Sequence, residues 1–197
     1  MSYSSGTPDK KADTRTVILN TALRLFTQNG YFNTSVHDIK REAHLSIGSI
    51  YHYFKGKDEI AKALYHDLLE EMEQQFNLIA SSHSSTHDRC KAVVSLLLSM
   101  TDEKPEAMAF MLHAKHREFL PNETPVCSSK PFTLMKGMVR EGIEKGEIRE
   151  LDPLVAAAVM FGGPIRLIHL HLDGIFAGPL VRQLPSIWDC AWKSVSA

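Results

Sequence analysis

Twelve consecutive residues, Ser46 to Lys57, carry a serine, a glycine, a second serine, two tyrosines, a histidine and two lysines in an order that could do chemistry on an anion. Ile47, Ser49, Tyr51 and His52, with the bare backbone of Gly48, offer groups that hydrogen-bond base edges or phosphates, or press on a thymine methyl. Lys55 and Lys57 follow at once and can neutralise phosphates beside them. Glycine weakens a helix by up to about 1 kcal/mol relative to alanine, a loss that closer backbone approach to a duplex would offset. Singly, each residue has an ordinary reading: Ser46 a helix cap, Tyr51 a half-buried packing residue, the lysines a solvated turn. The ordered set is more specific than its parts.

Other candidates are weaker. Met108, Phe110, Met111, His113 and His116 crowd one segment, and Phe161 lies in an apolar stretch further on. Methionines adapt to irregular apolar shapes, so these six residues are candidates to line a site for a small hydrophobic or amphipathic molecule. The more ordinary reading is core. His113 and His116, three apart on one expected helix face, could ligate a metal, but spacing identifies no third ligand, and no metal or other cofactor is expected. His169 and His171, two apart, point to different faces. Glu144 and Glu147 read as solvated charges near a helix end. No nucleophile elbow, phosphate loop, dinucleotide fingerprint or H-E-x-x-H sequence occurs, so nothing supports an enzyme.

These groups sit in a chain whose apolar spacing is helical nearly throughout, with no alternating strand pattern. Ile18, Ala22, Leu25 and Phe26 form one stripe, closed by Asn29-Gly30, where Gly30 reads as a left-handed terminator. Thr34 or Ser35 can cap the next helix, which buries Val36, Ile39 and Ala43; Asp38 favours its positive end. After the break Ala43-His44-Leu45-Ser46, a third helix from Ile47 to about Phe54 can dock through Ile50 and Phe54. Two short helices joined by so tight a break have the dimensions of a helix-turn-helix. A long helix from Asp58, an apolar one from Cys90 to Met100, one from Pro105 to about Phe119, one from Pro131 to Gly146, one from Pro153 to Leu172 and a last from Pro185 to Val195 follow. The expected class is all-α, with about nine helices.

Residues 14–62 resemble the TetR family of bacterial transcriptional regulators. The resemblance runs through Ala22-Leu-Arg-Leu-Phe26, Gly30-Tyr-Phe-Asn-Thr34-Ser-Val-His-Asp-Ile39, Ala43-His-Leu-Ser46, Gly48-Ser-Ile-Tyr51-His-Tyr-Phe54 and Lys57-Asp-Glu. It covers about a quarter of the chain. It implies that Thr34, Tyr51, Tyr53 and Lys57 contact phosphates, and that Ile47, Gly48, Ser49 and His52 enter the groove, with Ser46 beside them. His44 departs from the family's usual glycine; if that position needs positive φ, histidine fits it less easily.

The resemblance also implies a homodimer that binds a near-palindromic operator on double-stranded DNA and is released by a small molecule, most often as a repressor. The alternative is a helical ligand-binding or interaction module that does not meet DNA. Charge favours the former. Residues 1–57 hold eight lysines and arginines against four carboxylates, a balance of +4, in a chain of net charge −1. The expected divisions are a flexible tail at 1–13, a helix-turn-helix domain at 14–57, and a ligand-binding and dimerisation domain at 58–197. Dimer contacts are expected from Val155, Val159, Gly163, Ile165, Leu172, Trp188 and Trp192 on the last two helices. The three cysteines form no C-x-x-C pair and read as reduced thiols in a cytoplasmic compartment. The N-terminus has no apolar stretch of a signal peptide, and the run Leu154 to Ile165 is too short for a bilayer.

Overall fold

The computed structural model describes the backbone from Lys10 to Ala197 and the side chains from Thr14 onward. Ten α-helices follow one another: α1 (Lys10–Asn29), α2 (Val36–Ala43), α3 (Ile47–Tyr53), α4 (Lys57–Ser82), α5 (Thr86–Glu103), α6 (Pro105–His113), α7 (His116–Phe119), α8 (Lys130–Glu144), α9 (Pro153–Leu172) and α10 (Leu184–Lys193). Two short 3-10 turns complete the described residues, which contain no strand, only an isolated bridge between Ile148 and Ser196. The all-α class is as expected. Of the tail expected at 1–13, residues 1–9 lie outside the described residues, and residues 10–13 already belong to α1.

Local chemistry sets the helix ends. Ser35 and Asp38 form a capping box on α2: the Ser35 hydroxyl accepts from the Asp38 amide, and the Asp38 carboxylate accepts from the Ser35 amide. Ser46 Oγ accepts from the Ser49 amide at 3.0 Å and caps α3. Asp152 Oδ1 accepts from the amides of Leu154 and Val155 at 2.9 and 3.0 Å, with Pro153 in the first turn of α9. Gly30 closes α1 at φ +83°.

Helices α1, α2 and α3 pack as an N-terminal unit on Ile18, Ala22, Leu25, Phe26, Ile39, Ile50 and Phe54, all buried. α4 leaves this unit and runs into a body in which α5 and α8 pack together, flanked by α9 and α10. Gly142 of α8 is required there: a Cβ would stand 2.6 Å from Thr86 Cγ2 and 2.9 Å from Ile148 Cδ1. Glu147, expected as a solvated charge, instead accepts from the amides of Thr86 and His87 at 3.0 and 3.2 Å and holds the start of α5.

The expected helix from Pro105 to Phe119 is broken. It ends at His113, Ala114 is extended, and the one-turn α7 restarts at His116. The break turns the rings of His116 and Phe119 inward, where they meet Tyr65, Phe110 and Tyr31. Apolar burial of those rings outweighs continuation of a helix. α9 has the expected bounds, Pro153–Leu172; it continues past the apolar run Leu154 to Ile165 across Arg166, is long and apolar enough to cross a membrane by length and composition, and has one third of that stretch buried in the protein.

Candidate nucleic-acid interface

α3 is held from beneath by Ile50 and Phe54 and presents its opposite side. Ser46, Gly48, Tyr51, His52 and Lys55 are exposed; Ile47, Ser49, Tyr53 and Lys57 are half-buried. Gly48 has no internal reason to be glycine. It lies within α3 at ordinary helical φ, and an added Cβ would meet only Ser46 Oγ, 3.8 Å away. His44 takes the left-handed conformation at φ 54°, the turn that glycine would adopt more easily.

The residues expected at phosphates separate into two sets. Tyr51 stands free, 52% exposed. Thr34 does not: it is 2% exposed, and its hydroxyl donates to the carbonyls of Leu25 and Gly30 at 3.3 and 3.0 Å. The expectation of a phosphate contact through that hydroxyl is corrected, because the α1–α2 turn already consumes it. Lys57 is engaged as well. Its Nζ donates to the Tyr31 carbonyl at 2.9 Å and lies 4.2 Å from the Tyr31 ring centroid, tying α4 to the α1–α2 turn.

The six residues expected around one ligand do not converge. Met108 and Met111 line a void of about 10 Å³ with Met72, Leu97, Phe132 and Ile168, too small for any ligand as it stands. Phe110 and His113 line a separate cleft of about 310 Å³ with Phe26, Tyr31, Phe32 and Phe119, where the N-terminal unit meets α6 and α7. Phe161 is buried at 3% exposure and lines neither. His113 and His116 share no face: the His113 ring lies tilted 5.0 Å from that of His169, whereas His116 sits among Tyr65, Phe110 and Phe119. Burial lowers the His116 pKa to about 4, and its Nε2 is enclosed without a hydrogen-bond partner. Among the described residues no group of three His, Cys, Asp or Glu could hold a metal ion.

A larger cleft, about 600 Å³, opens between α4 and the α7–α8 connection, lined by Tyr65, Glu70, Glu73, Glu123, Ser129 and Lys130 among others. Nothing in the sequence marks it. Its α4 wall repeats at three- and four-residue spacing, the pattern of an ordinary polar helix face, and its other wall is an irregular loop with no period to detect.

The residues expected at a dimer contact also divide. Val155, Val159 and Gly163 lie outward on α9, the valines 51% and 47% exposed. Trp188 faces inward at 4%, its indole Nε1–H donating to His87 Nε2 at 2.9 Å. Ile165, Leu172 and Trp192 are half-buried against the protomer's own core. Trp188 is therefore corrected from a subunit contact to a clamp between α10 and α5.

Comparison with known proteins matches the exposed helix to a family. Residues 18–64 fit the model of bacterial regulatory proteins, tetR family. The chain is 26% identical over 160 residues to the uncharacterized HTH-type transcriptional regulator YhgD of Bacillus subtilis, covering 79% of this chain and 83% of that one. Its fold is shared with a TetR family transcription regulator from Marinobacter aquaeolei, at TM-score 0.78 and 19% identity over 95% of this chain and 97% of the other. It is shared too with the transcriptional regulator FadR from Bacillus subtilis in complex with stearoyl-CoA, at TM-score 0.74 and 23% identity over 89% and 96%.

Proposed function

We propose that this chain, whose residues 18–64 fit the tetR family model, is a helix-turn-helix transcriptional regulator that acts as a homodimeric, ligand-released repressor. The observation that carries this reading is α3 itself. It is a seven-residue helix, capped at Ser46, docked by Ile50, with Gly48 and the polar residues turned outward. At 1.5 Å per residue it is about 10 Å long, a fit to the width of a major groove. Ile47, Gly48, Ser49 and His52 enter the groove, and Ser46, Tyr51, Tyr53 and Lys57 lie toward phosphates. For Lys57 to do so it must exchange the Tyr31 carbonyl for a phosphate oxygen, a move its flexible stem permits.

One such helix supplies little specificity, so two copies read two half-sites. The stripe of Val155, Val159 and Gly163 on α9 supports a subunit contact, since exposed apolar residues in a row favour an isologous partner. A Cβ added at Gly162 or Gly163 would meet nothing within 4 Å beyond the helix's own backbone, so both glycines face open space that leaves room for close helix approach. Residues 58–197 form the regulatory and dimerisation domain, residues 14–57 the reader, and the protein acts in the cytoplasm without catalysing a reaction.

Effector release requires a ligand that binds the non-binding arrangement more tightly. α4 is the connecting element: 26 residues and about 39 Å long, it starts at the reader and ends in the body. The neighbouring structure that holds stearoyl-CoA supports an apolar or amphipathic effector for this one. The test is a fluorescence-anisotropy titration against the promoter region of the protein's own gene at several salt concentrations. Sequence-dependent binding with a steep salt slope is expected, and Lys57→Ala should reduce that slope by about one unit. Equal affinity for operator and scrambled DNA would refute the reading and leave a module that does not regulate through DNA.

A further inference from the structure

Tyr31, in the α1–α2 turn, ties the reader to the body through its ring. That ring stacks on Phe119 of α7, the centroids 4.2 Å apart and the planes 15° from parallel. The Lys57 ammonium lies 4.2 Å from the same Tyr31 centroid and donates to the Tyr31 carbonyl at 2.9 Å. Stacked rings this close admit no ammonium between them, so Lys57 and Phe119 occupy opposite faces. Phe26 and Phe32 flank the ring, each with its centroid 5.3 Å away. The phenol donates to the Asp58 carboxylate on α4; burial and that carboxylate raise its pKa and keep it protonated.

Lys57 cannot keep this place and also reach DNA. A phosphate must draw the ammonium off both ring and carbonyl, so a firmer hold lowers the apparent affinity for DNA. The hold depends in turn on α7, because a ring backed by a stacked neighbour stays in place beneath its cation. Phe119 belongs to a single helical turn flanked by non-helical Ala114 and Leu120, positions that can absorb a shift without carrying α6 or α8 along. Tyr31 and Phe119 both line the cleft of about 310 Å³ between the N-terminal unit and α6–α7, which leaves either ring room to swing.

We propose that Tyr31 is a positioning residue for the phosphate contact of Lys57: with Phe119 seated behind it, the ring holds the ammonium in reserve, and withdrawal of α7 releases it to DNA. The inference rests on the reading of the chain as a DNA-binding regulator and specifies how the body acts on the reader. A rearrangement that seats Phe119 lowers operator affinity, and one that withdraws it raises affinity.

Operator titrations of the full chain, in the presence of Lys57 and in the Lys57→Ala background, test this. Phe119→Leu keeps an apolar side chain but removes the stack, and Tyr31→Leu removes the ring from beneath the ammonium. Each should tighten operator binding about two- to fivefold when Lys57 is present, the scale of one exposed cation–ring contact, and change nothing in the Lys57→Ala background. The salt slope should run parallel to that of the unaltered protein, because the same phosphates are neutralised. Tyr31→Phe, which keeps both ring and stack, should bind as the unaltered protein does. Damage to the fold lowers affinity, so a gain separates positioning from structure. A loss of affinity in both leucine variants, an equal change in both backgrounds, or a gain in Tyr31→Phe matching that in Tyr31→Leu would overturn the inference. Equal binding of operator and scrambled DNA by the unaltered protein defeats the regulator reading and this inference with it. Selective binding by the unaltered protein, with no gain in the variants, defeats the inference alone.

Discussion

At the scale of single residues, Gly48 separates folding from function. It occupies the first turn of a short helix, its φ is ordinary, and a Cβ would find open space apart from Ser46 Oγ. Alanine there should stabilise the protein by about 0.5–1 kcal/mol in urea unfolding, because glycine is the poorer helix former. The same variant should bind operator DNA more weakly, since the backbone can then approach the duplex less closely. A gain in stability together with a loss in affinity is the expected pair. Unchanged affinity would remove Gly48 from the interface. Thr34 makes the complementary point: it occurs in the motif that resembles the family, yet its hydroxyl is spent on the Leu25 and Gly30 carbonyls. A motif position can serve the fold that carries the reader rather than touch DNA.

Among the elements, the break between α6 and α7 has the clearest consequence. A continuous helix would carry His113 and His116 on neighbouring turns of one face; the break sends His116 into the rings of Tyr65, Phe110 and Phe119. Burial there favours the neutral imidazole and lowers its pKa to about 4 from an ordinary value of 6.5. A depressed folded-state value means that the unfolded chain takes up the proton first as pH falls. The contribution is fully present above pH 6.5 and is lost progressively between 6.5 and about 4. The urea midpoint of the unaltered protein should fall across that window, and His116→Phe should flatten the fall. An identical slope in the variant would place the acid sensitivity elsewhere. The helix ends around this region follow local rules that sequence displays. The break does not, because it is driven by ring packing between residues far apart in the chain, such as Tyr65 with His116 and Tyr31 with Phe119.

For the whole molecule, the proposed dimer places its subunit contact on the outward stripe of α9. Val155 and Val159 remain half-exposed in the single chain, while Trp188 is turned inward onto His87. Replacing both valines by aspartate should leave the protomer folded, since neither packs in its core. Sedimentation should then report a monomer, and operator affinity should fall by a factor of ten or more, as one half-site loses its partner. A variant that still sediments as a dimer would move the subunit contact away from this face. Trp188→Phe would not serve as that test, because it removes the donor to His87 inside the protomer and reports on α5 and α10 instead.

The amino-acid sequence alone determined the all-α class, the caps at Ser46 and Asp152, the terminator Gly30 and the short helix that follows Ser46, and it narrowed the α2 cap to Thr34 or Ser35. Each depends on chemistry within a few residues, which local spacing records. Tertiary structure decided the rest: that Thr34 and Trp188 face inward, that His113 and His116 part company, and that a cleft of about 600 Å³ lies on α4 while the methionines line a void of only about 10 Å³. An amphipathic helix announces that it has an apolar face but not which neighbour will cover it. That choice belongs to the packing of segments far apart in the chain, where burial of rings and methyl groups outweighs the preferences of any single helix.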